Sequence, residues 1–183
     1  PVLVAGTAFA LAQWMEEKSH DGEGLHLPAG SMVMETGGYK GRTTERSRAQ
    51  LYSALEAALG IPEDRMVSEY GMTELLSQFY EPILPGSPGY LGAVDLEARL
   101  YRGPPWVRTL VLDPLTLDPL PDGDIGVLAH MDLANLGSVA PILTEDLGRT
   151  TGGGFQLVGR SPDSEPRGCS LAMEDFLAGR GGT

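Results

Sequence analysis

The sequence predicts an α/β fold: a parallel-sheet βαβαβα subdomain, then a small antiparallel β-barrel-like subdomain and a short C-terminal stub. Three observations carry this. Short apolar runs alternate with amphipathic stretches over the first eighty residues. Prolines at 82, 85, 88, 104, 105, 114, 119 and 121 then interrupt every run, which disfavours long helices. Turn-rich Asp113-Pro114, Asp122-Gly123-Asp124 and Gly152-Gly153-Gly154 separate β-like runs in the remainder. The expected units are residues 1–88, 89–158 and 159–183.

Val2-Leu3-Val4-Ala5 is a continuous apolar run, as in a strand buried on both faces. Residues 8–18 place Ala8, Leu11, Ala12 and Met15 on one helical face, and polar residues 19–24 end that helix. Met32-Val33-Met34 predicts a second strand, closed by Gly37-Gly38. A long helix follows over 44–59, with Leu51, Leu55 and Leu59 spaced by four, and Gly60 and Pro62 stop it. Residues 65–69 predict a third strand, and 73–80 a third helix capped by Thr73. Residues 107–112, 125–130 and 155–158 predict strands of an antiparallel barrel or meander. The tail has room for a strand and one short helix over 172–178.

Composition excludes several function classes. Asp and Glu number 25 against 13 Lys and Arg, a net charge of −12, which argues against nonspecific binding to nucleic acid or anionic lipid, since each needs a basic face to replace counterions. One cysteine excludes a disulfide framework, and no run approaches the 18 apolar residues of a membrane span. The apolar start lacks a basic leader, so no signal peptide is expected. The first residue is Pro, so the chain reads as an excised or processed piece, cytoplasmic by default.

Chemistry concentrates at Glu69-Tyr70-Gly71-Met72-Thr73-Glu74, between the third strand and the third helix. Ligands dock at the carboxyl edge of open α/β sheets, and helix N-termini offer N–H groups to phosphate. Tyr70 can stack on a planar ring, Thr73 can bond a phosphate oxygen and Glu74 can hold a divalent cation. The same spacing also fits a plain strand–turn–helix with Thr73 as N-cap.

Tyr70-Gly71-Met72-Thr73-Glu74 resembles the Y-G-x-T-E motif of the adenylate-forming superfamily. Thr144-Glu145-Asp146-Leu147-Gly148-Arg149, with Gly153-Gly154-Phe155 and Gly159-Arg160, resembles that superfamily's T-G-D-L-G-R…D-G-x…G-R run. Thr36-Gly37-Gly38-Tyr39-Lys40-Gly41 and Arg167-Gly168-Cys169-Ser170-Leu171 point to its acyl-protein synthetase branch, of LuxE type. The resemblance implies ATP-dependent activation of a carboxylic acid, a long-chain fatty one with an aryl acid as the alternative, to an acyl-adenylate, with transfer to a cysteine thiol. It implies ATP and Mg²⁺ as cofactors and a reductase or transferase as protein partner. Carried over by position, Gly37 and Gly38 let backbone approach the adenine, Tyr70 lies against it, and Gly71 belongs to the same cofactor-binding motif. Thr73 binds the α-phosphate and Glu74 coordinates Mg²⁺. Asp146 accepts from the ribose hydroxyls, and Arg160 reaches the ribose or phosphate. Asp146 also fits a turn carboxylate and Arg160 a surface charge.

Two departures stand out. The Ser/Thr/Gly-rich loop ending in Lys, which holds the pyrophosphate in the superfamily, is not in this chain, and neither is the late lid lysine. The chain therefore resembles the later half of a synthetase, and alone it is expected to be weakly active or inactive. A noncatalytic binding or assembly module of a fatty acid reductase-type complex is the competing reading. Cys169, with Arg167 nearby to favour its thiolate, is either the acyl acceptor or an inert thiol. His20, His26 and His130 form no ligand spacing and are read as surface or loop residues. Lys40, Arg42, Arg46 and Arg48 form a basic cluster, either a solvated helix face or a contact for phosphates.

Overall fold

The computed structural model describes residues 1–19, 25–37, 47–90, 92 and 95–161. In chain order the elements are β1 (Leu3–Thr7), α1 (Ala8–Ser19), β2 (Met32–Thr36), α2 (Arg48–Leu59), β3 (Met66–Tyr70), β4 (Phe79–Tyr80), β5 (Val107–Leu112), β6 (Gly126–Asp132), β7 (Pro141–Thr151) and β8 (Gly154–Arg160). Sheet A runs β1-β2-β3-β4, and sheet B runs β5-β6-β7-β8. None of the described helices is long and apolar enough to cross a membrane.

β1, β2 and β3 pair in parallel, so their carboxyl ends lie along one edge. The face read from the sequence packs α1 on this sheet: Ala8, Leu11, Ala12 and Met15 are all buried. From α2, Leu51, Tyr52, Leu55 and Leu59 join them, with Val33 and Met66 from the sheet. Burying each leucine contributes about 2 kcal/mol.

The second helix begins at Arg48, later than the periodicity predicts. Ser47 is extended at ψ 155°, its hydroxyl accepts from Gln50 N–H, and the Gln50 side chain accepts from Ser47 N–H. This reciprocal cap fixes the start, because an extended residue cannot sit inside a helix. Residues 44–46 lie outside the described residues.

The third helix does not form. Leu75, Ser77, Phe79 and Glu81 are buried while Leu76, Gln78 and Tyr80 are exposed, an alternation of period two. The chain therefore turns at Thr73-Glu74 and returns as β4, antiparallel to β3, with Glu69 opposite Tyr80 and Tyr70 opposite Phe79. Pro82 also opposes helix, since the residue before a proline is pushed toward extended backbone.

Sheet B is an antiparallel meander, and no closed barrel forms among the described residues. β7, eleven residues long and rich in polar side chains, has no counterpart among the predicted strands. The two sheets are tied by backbone. Tyr80 and Arg102 exchange hydrogen bonds of 3.0 and 2.9 Å, and Tyr101 and Phe155 exchange bonds of 2.8 and 3.1 Å. A second core fills the space between: Tyr70, Leu75 and Phe79 against Val111, Leu128 and Phe155. The stub, including the helix expected over 172–178, lies outside the described residues.

Candidate functional site

Register brings the predicted residues of sheet A to one edge. Thr36 pairs with Glu69, so Gly37, just past β2, and Tyr70, the last residue of β3, lie at the same edge. The Thr36 hydroxyl donates to the Glu69 carboxylate and ties the two strand ends together. Gly37 has φ +66°, a left-handed conformation that disfavours side chains, and a Cβ there would meet open space. Gly71 is exposed at the end of β3. Gly38 lies outside the described residues.

Tyr70 and Asp146, 76 positions apart, meet. The Tyr70 hydroxyl donates to Asp146 Oδ2 at 2.8 Å. Asp146 Oδ1 faces Arg160 Nε at 3.1 Å, and Arg160 Nη2 lies 3.2 Å from Glu145 Oε2. Pairing of β7 with β8 sets Asp146 opposite Arg160. Thr144 Oγ1 accepts from Asp146 N–H at 3.1 Å and donates to Leu128 O at 2.8 Å, which holds the turn of the backbone at the carboxylate. Tyr70 is only 8% exposed, and its ring packs against Phe79, Tyr101, His130 and Phe155 at centroid distances of 5.3 to 5.9 Å. Burial and then the Asp146 charge push its phenol pKa up, so it stays a hydrogen-bond donor.

Thr73 and Glu74 are exposed at the tip of the β3–β4 loop. Within it, Leu75 N–H bonds Met72 O at 3.1 Å. Further anchors come from the end of β6 and the turn that follows it. Asp132 Oδ2 accepts from Leu76 N–H (3.1 Å) and Ser77 N–H (2.8 Å), and its Oδ1 accepts from Ser77 Oγ (2.9 Å) and Ala134 N–H (3.0 Å). Asn135 Nδ2 donates to Glu74 O at 2.9 Å. Burial opposes the Asp132 charge, but these donors outweigh it and hold the carboxyl below its ordinary value. The amides that a helix would have used are thereby taken.

Beneath the same edge lies a buried ionic cluster. Arg48 binds Glu81 through both terminal nitrogens at 2.7 and 2.6 Å, and its Nη2 also donates to Tyr52 OH at 2.8 Å. Arg48 Nε faces Glu35 at 3.4 Å, and Arg99 Nη1 faces Glu81 at 3.6 Å. Both sequence readings of Arg48 are thereby corrected: it braces α2 against β2 and the segment after β4. Lys40, Arg42 and Arg46 lie outside the described residues. Burial is the largest influence on Glu35 and raises its pKa against the pull of Ser68 and Arg48.

His130 corrects a further expectation. It is 1% exposed, 4.8 Å from the Phe79 ring, with Nδ1 3.0 Å from Thr109 Oγ1. Burial depresses its pKa to about 4, so the ring is neutral at physiological pH.

Sequence reasoning missed Asp132, Asn135, Glu35, Glu81 and the interior place of His130. Asp132-Leu133-Ala134-Asn135, with an Asx residue at each end, was the available sign of a side-chain-bonded turn. Cys169 and Arg167 lie outside the described residues.

The family model of the acyl-protein synthetase LuxE matches residues 2–178. The chain belongs to that family. It is 26% identical over 183 residues to the long-chain-fatty-acid–luciferin-component ligase of Aliivibrio fischeri, covering 92% of this chain and 43% of that protein. A second such ligase, from Vibrio harveyi, is 34% identical over 84 residues, which is 42% of this chain and 22% of the relative. The chain thus spans less than half the length of these relatives. Among solved structures it resembles ATP-bound MatB from Rhodopseudomonas palustris (TM-score 0.53, 18% identity, 87% of this chain and 31% of that one). It also resembles McyG A-PCP complexed with phenylalanyl-adenylate (TM-score 0.59, 17% identity, 88% and 30%). At these identities the likeness is one of fold.

Proposed function

We propose that this LuxE-family chain is the AMP-holding part of a ligase that activates a long-chain fatty acid, or an aryl acid, and passes it to a cysteine. The reading rests on the 2.8 Å bond between Tyr70 and Asp146, because it joins the two motifs at one sheet edge. Each oxygen of an ionised carboxylate has two lone pairs. Tyr70 and Arg160 engage one side of each Asp146 oxygen, and the ribose hydroxyls would take the remaining acceptor positions. Gly37, Gly38 and Gly71 would border the adenine together with the small part of Tyr70 left exposed, and Thr73 would bond the α-phosphate. Arg160 would reach the ribose or phosphate.

Glu74 would be the Mg²⁺ ligand that this chain supplies. No group of three His, Cys, Asp or Glu gathers as a metal cage among the described residues, whereas Glu74 offers one exposed carboxylate. Mg²⁺ shared with substrate phosphates characteristically takes one or two carboxylates and keeps its waters. When bound at Glu74, it would supply neutralising charge to the triphosphate.

In the reaction, an acid carboxylate oxygen bonds to the α-phosphorus while the bond to pyrophosphate breaks. The Cys169 thiolate then bonds to the acyl carbon, and AMP leaves. The chain's part is to hold two anions in line and offset their charge.

The test uses the full-length polypeptide. Fatty-acid-dependent ATP–pyrophosphate exchange, with a hydroxylamine-labile acyl adduct lost in Cys169→Ser, is the expected result. Exchange without an adduct removes Cys169 from the scheme. No exchange with any acid overturns the ligase reading in favour of a noncatalytic binding module.

A further inference from the structure

The residues that bear the nucleotide motif do not hold their own shape. The loop from Gly71 to Gln78 has one internal backbone bond, Leu75 N–H to Met72 O, while its other named anchors come from outside it. We propose that Asp132 is the positioning residue that sets Thr73 and Glu74 at the nucleotide site, an inference that rests on the ligase reading above. Asp132 ends β6, its own N–H is fixed by Ala140 O at 3.0 Å, and the residue is 0% exposed. All four hydrogen bonds to its carboxylate are directional, and three of them come from two successive loop residues, Leu76 and Ser77. Trp106 Nε1 donates to Ser77 Oγ at 3.0 Å and so orients the hydroxyl that donates to Asp132. Asn135, three residues on, seizes the Glu74 carbonyl itself and is held in turn by Val139 O at 3.1 Å.

The arrangement does chemically what a helix N-terminus does in reverse. A helix would direct its first free N–H groups outward, toward an anion. Here the N–H groups of residues 76 and 77 point inward to a fixed carboxylate, and residues 73 and 74 form the exposed tip. Asp132 is saturated by its four donors, so it does not compete for a cation. It acts through the loop and touches no substrate. Its effect on the reaction therefore falls on the triphosphate and Mg²⁺, and not on the acid.

Asp132→Asn in the full-length polypeptide is the direct probe. It preserves shape, removes the charge that strengthens all four bonds, and turns an NH₂ group toward at least one N–H donor, so at least one bond is lost. We expect amide exchange to accelerate over residues 73–79 but not over β7. The KM for Mg·ATP in pyrophosphate exchange rises about tenfold or more, and the Mg²⁺ midpoint rises with it, since misplacements near 1 Å carry penalties of that size. The KM for the fatty acid stays within about twofold. Combined with Glu74→Gln, the loss does not multiply, because both changes disable one element. Unchanged exchange over 73–79, or equal loss toward ATP and acid, overturns the proposal. If Asp132→Asn does not fold, Asn135→Ala and Ser77→Ala report the same KM split, and its absence in both overturns it. A parent enzyme without any exchange activity removes the ligase reading instead, and amide exchange then decides the clamp alone.

Discussion

The core under sheet A is filled by residues one helical turn apart in sequence, whereas the core between the sheets is filled by rings from positions 70, 79, 101, 130 and 155. The first is local and could be assembled by two helices and three strands alone. The second exists only when distant parts of the chain have met, and Tyr70 belongs to it. Foundation and proposed nucleotide-site residue thus depend on different packing, and the two dependencies can be separated. Phe155→Ala should cost about 3–5 kcal/mol and Leu55→Ala about 2–5 kcal/mol in urea denaturation, for both side chains are almost fully buried. The comparison sharpens if Phe155→Ala also weakens nucleotide binding while Leu55→Ala spares it. It breaks if both variants lose binding alike.

The ionic cluster offers the next largest effect. Glu81 faces two guanidinium groups in the interior, at 2.6 and 3.6 Å. Removing one partner leaves charge buried without compensation, which costs about 3–5 kcal/mol. Glu81→Ala should therefore approach a core truncation in its effect on the urea midpoint. A loss below about 1 kcal/mol would mean that solvent reaches Arg48 readily enough to replace the carboxylate, since that side chain is 29% exposed.

The contrast between the two cores also explains what was legible in the sequence. Ala8, Leu11, Ala12 and Met15 were identified by spacing because a helix carries its own ruler, and all four are buried. The third helix failed for the same reason in reverse. Leu75, Leu76 and Phe79 satisfy helical spacing, but Asp132, some 55 residues away, takes the amides of 76 and 77 and imposes a two-residue alternation. Periodicity cannot register a partner so distant. β7 escaped because Glu145, Asp146 and Arg149 make it polar, although it is central in its sheet. Motif resemblance, by contrast, identified Tyr70, Asp146 and Arg160 separately, and the structure brings those three into contact. It left out Glu35, Arg48, Glu81 and His130 because none of them belongs to a motif; their partners are set by tertiary packing.

His130 gives a pH test of the inter-sheet core. Its pKa is depressed to about 4 against an ordinary 6.5, so the unfolded chain binds a proton that the folded one refuses between those values. Stability should fall as pH drops through 6.5 and go on falling to about pH 4, by on the order of 3 kcal/mol from this residue. Glu35 opposes the trend, since its raised pKa makes the folded state the better proton binder. The measurement is therefore the difference in urea stability between the parent and His130→Leu at pH 7 and pH 4.5. The gap in favour of the parent should narrow or reverse on acidification. A pH-independent difference would place the imidazole in contact with water.

The smallest effect expected is the one nearest the proposed nucleotide site. Tyr70→Phe leaves the ring among Phe79, Tyr101, His130 and Phe155 and removes only the hydroxyl that donates to Asp146. A hydrogen bond to a charged acceptor contributes about 1.5–3 kcal/mol, and Asp146 keeps Arg160 and its exposed flank, so the loss should lie at or below the low end. Function should suffer more than stability. Without the phenol, the carboxylate can turn toward Arg160 and away from the position where ribose hydroxyls would meet it, so nucleotide KM rises while the acid KM holds. If instead Tyr70→Phe unfolds as readily as Phe155→Ala, the hydroxyl is a structural keystone of the second core. The division between a packing role for the ring and an orienting role for its oxygen would then fail.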